Sequence, residues 1–217
     1  MSYATYFDFF VDLRLLYAAF LFQLVQSAMP FGSAFDALTQ FCIQRLTSLE
    51  TESVKEVSYY VETTAFVNYL RKSEKYTKVE ITGHSLGGSL AFITGAQTKT
   101  KAVGLSAPGA YMGRLAVTPQ ISVEDIKRYT YALLPNRDIV NNLGGKHINC
   151  SEINCRADLK DSFTCHNAYR SMCELLYTCG GKVRRPVSCL CMKFGYPEPT
   201  ASDGSETSFV ETCRNSE

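Results

Sequence analysis

The feature that most constrains this 217-residue chain is a pentapeptide, Gly83-His84-Ser85-Leu86-Gly87, set between a strand and a helix. Lys78-Val79-Glu80-Ile81-Thr82 reads as the strand, and the apolar run that follows Gly88 reads as a helix through Ala96. A serine at the centre of G-x-S-x-G in that setting occupies a sharp turn that lifts its hydroxyl above the sheet. Such a turn predicts small residues on both sides of the serine, hence Gly83 and Gly87. The amide of Leu86, at the positive end of the helix, would point to where a tetrahedral intermediate carries its charge.

The flanking sequence repeats the same alternation. Residues 6–46 read as helical and very apolar, with a break at Met29-Pro30-Phe31-Gly32. Residues 48–72 predict an amphipathic helix with Val54, Val57, Val61 and Ala65 on its buried face, opened near Ser48. Ala102-Val103-Gly104-Leu105 and Arg128 to Leu134 predict two more strands, with a capping box at Ser122-Val123-Glu124-Asp125 opening a short helix between them. Helices alternating with short apolar strands imply an α/β fold, a mostly parallel sheet flanked by helices of α/β-hydrolase type. Residues 141–166 read as a Cys- and Asn-rich loop. A last helix carries Tyr169, Met172, Cys173 and Leu176 and should end at Gly180-Gly181. The expected organisation is one domain over residues 1–180 and an irregular Cys-containing tail over 181–217.

A serine hydroxyl needs a base at neutral pH. The chain has three histidines. His84 lies inside the turn, where its side chain is directed away from that of Ser85. His147 and His166 remain. In this fold the chain order is serine, acid, histidine, and the acid belongs just past a strand end. Asp138 meets that condition. Asp125 is accounted for as a helix cap, and Asp158 and Asp161 have no strand before them. His147 sits nine residues after Asp138 in a glycine-containing loop and reads as a solvated residue. His166 opens a helix beside Cys165, which gives a base the fixed orientation it needs.

The stretches "VEITGHSLGGSLAFITGA" and "AVGLSAPGA" resemble the class 3 (fungal-type) lipases. The stretch "RDIVNNLGGKHINCSEINCRADLKDSFTCHNAYRSMCELL" is similar to their autophagy-related vacuolar phospholipase branch, and "YFDFFVDLRLL" resembles the segment after the family's R-G-T or R-G-S turn. The likeness covers roughly residues 8–180. It implies Ser85 as nucleophile, Asp138 as acid and His166 as base, and makes Cys150, Cys155 and Cys165 candidates for structural disulfides. The family usually has Pro after the acid, where Ile139 stands here. Its second oxyanion donor comes from the R-G-T or R-G-S turn, whose matching position would lie at or before Met1. The N-terminal strands are therefore expected to be missing from the chain.

Composition narrows the function classes. A net charge of +1 gives no reason to expect nucleic acid as a partner. Of the nine cysteines, Cys42 stands alone and the others fall in the last third, the pattern of a disulfide-stapled region in an oxidising compartment. Zinc is the competing reading, but no C-x-x-C occurs and Cys189 and Cys191 are too close for the usual ligand pair. No metal or cofactor is expected. Asn149-Cys150-Ser151 is a glycosylation sequon that agrees with a secretory, vacuolar or lysosomal location. Residues 15–31 suit a core helix, a lid or an interfacial surface; the apolar run there is too short to span a membrane. The expected function is hydrolysis of lipid esters at a membrane or lipid interface. The alternatives are a soluble esterase or acyltransferase with the same triad, and an inactive lipase-like protein.

Overall fold

The computed structural model describes residues 41, 45, 59–143, 145–155, 164–183 and 189–195; side chains in 178–183 are not described. The expectations for the apolar N-terminal region (apart from helical Phe41 and Arg45), for Val54 and Val57, for Asp158 and Asp161, and for residues 196–217 lie outside these. Among the described residues no helix is long and apolar enough to cross a membrane.

The element order is α1 (Tyr59–Lys72), β1 (Ile81–His84), α2 (Leu86–Thr98), β2 (Ala102–Leu105), α3 (Val123–Tyr129), β3 (Thr130–Pro135), β4 (Cys150–Ile153), α4 (Ala168–Val183) and α5 (Cys189–Met192), with single 3-10 turns at Gly113–Leu115, Ile139–Asn142 and Thr164–His166. Hydrogen bonding orders the sheet β1-β2-β3-β4. β1 pairs in parallel with β2, and β2 with β3. β4 was expected to be loop. Its sequence CSEI is exposed over its first three residues and lacks an apolar face, but its backbone joins the sheet through Ala132 N to Asn149 O (2.9 Å) and Asn136 N to Ile153 O (2.8 Å). The chain divides into two compact units, Met1–Leu133 with Val140–Ser151, and Leu134–Ile139 with Glu152–Glu217.

In the first unit, the small residues of β2 explain why α2 packs where it does. A Cβ built on Gly104 would fall 2.3 Å from the ring of Phe92, and one on Gly95 would fall 2.6 Å from Ala102 Cβ. The helix therefore lies close on the strand, with Phe92 buried over Gly104. Burying such a side chain contributes about 1.5–3 kcal/mol. Ala96, Val117, Ile121, Ile126 and Tyr60 form the adjoining core. The opposite row, Thr82, Val103, Tyr131 and Ser151, is solvent-facing, and Tyr131 Oη and Ser151 Oγ lie 2.6 Å apart.

α1 presents a different face from the one Val61 and Ala65 suggested. Val61 and Ala65 are exposed, and Tyr60 and Val67 are buried. The reason is that α1 meets α2 through hydroxyl chemistry. Thr63 Oγ1 lies 2.8 Å from Thr94 Oγ1, Thr64 Oγ1 donates to Gln97 Oε1 (2.9 Å), and Arg71 donates to the Thr98 carbonyl. The capping box opens α3 as expected: the Ser122 side chain accepts from the Asp125 amide (2.9 Å) and donates to its carboxylate (2.6 Å).

In the second unit, α4 runs through Gly180-Gly181 to Val183 instead of ending there, and part of the expected irregular tail forms α5. A Cys173–Cys191 disulfide joins the two helices, both sulfurs fully buried with Met172, Leu176 and Phe194 packed around them.

Candidate active site

Ser85 sits between the last residue of β1 and the first of α2 with φ 55° and ψ −128°. An L-residue adopts that conformation only when its surroundings enforce it. Here the Ser85 amide donates to Leu105 O of β2 (3.0 Å), and its carbonyl accepts from the amides of Gly88 (2.9 Å) and Ser89 (3.2 Å). Ser89 Oγ donates in turn to the Pro108 carbonyl (2.8 Å), which pins the helix start to the loop after β2. Gly88 and Ser89 thus find their acceptor in the turn. Leu86 is the first helical residue, one of the positions whose amide has no acceptor one turn back.

The two glycines flanking Ser85 have different standing. A Cβ on Gly83 would sit 2.1 Å from the Gly87 carbonyl oxygen, and one on Gly88 would sit 2.5 Å from Ala107 Cβ, whereas one on Gly87 meets nothing within 4 Å. The turn needs Gly83 because the Gly87 backbone crosses directly over it. The expected requirement for a small side chain at 87 itself is not met; the close approach falls on Gly88. Gly83→Ala should therefore destabilise the protein by about 3 kcal/mol or more through overpacking. Gly87→Ala, at an open helical position, should be neutral or stabilise by up to about 1 kcal/mol. Thermal melts of the two variants check this, and equal destabilisation would contradict it.

Asp138 ends a tight turn after β3. Its amide donates to the Pro135 carbonyl (3.2 Å), and Arg137 before it takes φ 69°. Asp138 is 3% exposed, and its Oδ2 lies 3.0 Å from Nδ1 of His166. A carboxylate can only accept, so Nδ1 carries the proton of the neutral ring and the lone pair is placed on Nε2. This is the tautomer a general base requires.

His166 is held from both sides. It lies in the 3-10 turn Thr164–His166, and Asn167 caps α4, its Oδ1 accepting from the amides of Tyr169 (2.9 Å) and Arg170 (3.4 Å). On the other side Cys165 is bonded to Cys155, whose carbonyl accepts from the Arg137 guanidinium. The disulfide spans ten residues, and a crosslink of this kind contributes about 2–4 kcal/mol by restricting the unfolded chain. The sequence signal for Arg137 and Asn167 was present, a cation beside the acid and an Asn before a helix, but nothing in it indicated what either would bond. Cys150, grouped with these cysteines by resemblance, is a free and exposed thiol at the start of β4. Asn149 of the sequon donates its side-chain amide to the Lys127 and Thr130 carbonyls.

His147 is not the solvated loop residue expected. It is partly buried, its ring meets Phe92 edge-on at 6.1 Å and 71°, and its Nε2 lies 3.1 Å from the Asn141 carbonyl oxygen. A carbonyl only accepts, so Nε2 is the donor. Burial lowers its pKa below the ordinary 6.5, against a smaller raising effect of the hydrogen bond to Asn141. With Nε2 donating to Asn141, the ring's remaining lone pair is on Nδ1. Among the described residues no group of three or more His, Cys, Asp or Glu is placed to hold a metal ion.

Residues 16–111 match the family described as Lipase (class 3). That segment contains the whole strand–turn–helix around Ser85 and ends in the loop after β2; Asp138 and His166 lie beyond it. No curated protein matches the chain. The family match, the Ser85 turn and the Asp138–His166 pair together support a serine hydrolase acting on carboxylic esters. The Cys155–Cys165 and Cys173–Cys191 disulfides point to an oxidising compartment.

Proposed function

We propose that the chain hydrolyses lipid esters, as a lipase or phospholipase, with Ser85, His166 and Asp138 acting as one triad. The observation that carries this reading is the Asp138–His166 hydrogen bond, because it sets the tautomer a general base needs at the position the sequence order assigns to the base. Ser85 Oγ attacks the ester carbonyl carbon while His166 Nε2 takes its proton. The Leu86 amide stabilises the oxyanion of the tetrahedral intermediate. Collapse expels the alcohol, which receives the proton from His166. Water, activated by the same ring, then hydrolyses the acyl-enzyme.

The lipid surface as the place of action, the vacuolar phospholipase branch, and a lipase domain over 1–180 followed by a tail belong to the same proposal. They are supported by the likeness to class 3 lipases and by the Cys155–Cys165 bond directly before His166. The test compares triacylglycerol and phospholipid emulsions with a soluble short-chain ester. A lipid-ester hydrolase should turn over the emulsified substrates and gain rate once the ester forms an interface. Activity confined to the soluble ester, with no change on adding an interface, would assign the chain to the soluble esterases.

A further inference from the structure

Three contacts hold the segment downstream of the acid, residues 140–151, within the first unit. The Gly109 amide donates to the Leu143 carbonyl (2.7 Å). Gly145, at φ 90°, leaves so little room that a Cβ there would fall 2.7 Å from Met112 Cγ. His147 makes the third, its ring edge-on to Phe92 of the helix that Ser85 opens and its Nε2–H bonded to the Asn141 carbonyl. Asn141 belongs to the 3-10 turn Ile139–Asn142, which begins at the residue after Asp138. From these contacts we propose that His147 is a positioning residue for the acid: it ties the turn that follows Asp138 to the helix that follows Ser85.

The choice of side chain fits this role. An aliphatic residue would fill the space beside Phe92 but supply no donor to Asn141 O. A lysine would supply a donor but bring a charge into a partly buried site. A neutral imidazole gives both the ring edge and the donor, and burial, which lowers its pKa, favours that neutral form.

The inference rests on the triad reading, and the experiment separates the two. His147→Phe keeps a ring against Phe92 and removes the donor; His147→Gln keeps a donor where Nε2 lies and removes the ring. For a positioning residue, His147→Phe should lower kcat on the order of 10–100-fold with little change in KM, since small misplacements of catalytic groups have effects of that size. His147→Gln should recover most of the loss. The low-field proton resonance of the His166 Nδ1–H, which reports its bond to Asp138, should shift or broaden in His147→Phe and return in His147→Gln. Wild-type kcat and resonance in a folded His147→Phe would overturn the proposal while leaving the triad standing. Equal damage in both variants would also overturn it, by making the ring contact rather than the donor the active feature. Should His147→Phe not fold, His147→Leu takes its place; failure of both while His147→Gln folds would assign the residue to stability and end the proposal. A wild-type chain without esterase activity would remove the triad reading and this inference together.

Discussion

The Ser85→Ala protein is expected to fold like the wild type and to hydrolyse esters about 10⁴–10⁶-fold more slowly. The fold should survive because the Ser85 side chain makes no helix-capping hydrogen bond. The backbone bonds that hold the turn run through its amide and carbonyl, which alanine keeps. Alanine and serine also bear a positive φ at similar cost. The rate should collapse because Ser85 alone occupies the turn, while the nearest helix hydroxyls are engaged elsewhere, Ser89 Oγ on the Pro108 carbonyl and Thr94 Oγ1 with Thr63. The measurement is kcat on a chromogenic ester alongside a thermal melt. Retention of a tenth of the activity in a folded variant would make the nucleophile assignment wrong.

The second large effect is expected at the acid–base pair. His166→Ala should match Ser85→Ala in severity, because members of a triad act as a unit and their losses are not additive. Asp138→Asn should cost about 10⁴ in kcat. An asparagine amide can donate to Nδ1, which would favour the tautomer with its proton on Nε2, the wrong one for a base. The geometry should change little, since the turn at Asp138 is closed by backbone bonding to Pro135. Both losses should far exceed that of His147→Phe. A loss at His147 as large as at His166 would reverse the assignment of the base.

What the sequence made legible is the part governed by local rules. The G-x-S-x-G turn, the strand at Ala102–Leu105 and the Ser122 cap each depend on a few neighbouring residues whose chemistry permits little else. The strand into the turn was displaced, expected over 78–82 and found over Ile81–His84, because strand ends depend on partners outside the segment. The same dependence hid β4, whose CSEI has no apolar alternation and is a strand only because β3 offers its edge. Gly83 and Gly87 look equivalent in the motif; only the path of the helix backbone shows that the close approach falls on Gly83 and Gly88.

Side-chain partners were the least legible. Val61 and Ala65 suggested the buried face of α1, yet the helix it meets offers Thr94 and Gln97, so the threonine side turned inward. His147 read as solvated because its neighbours are Gly, Lys and Asn, while its packing partner Phe92 is 55 positions away in a different element. Asp138 and His166 were legible for the opposite reason. An acid after a strand and a histidine before a helix are placements set by local structure, and the chain between them, a separation of 28 positions, needed only to close a loop.

The most direct test of the account is covalent labelling of the 217-residue chain with a fluorophosphonate, followed by peptide mapping. A fluorophosphonate is attacked by an activated serine and releases fluoride, leaving the phosphonyl group on the nucleophile. One labelled site is expected, Ser85, with labelling far slower in Asp138→Asn and His166→Ala. A native, folded chain that takes no label, or takes it at another serine, would contradict it.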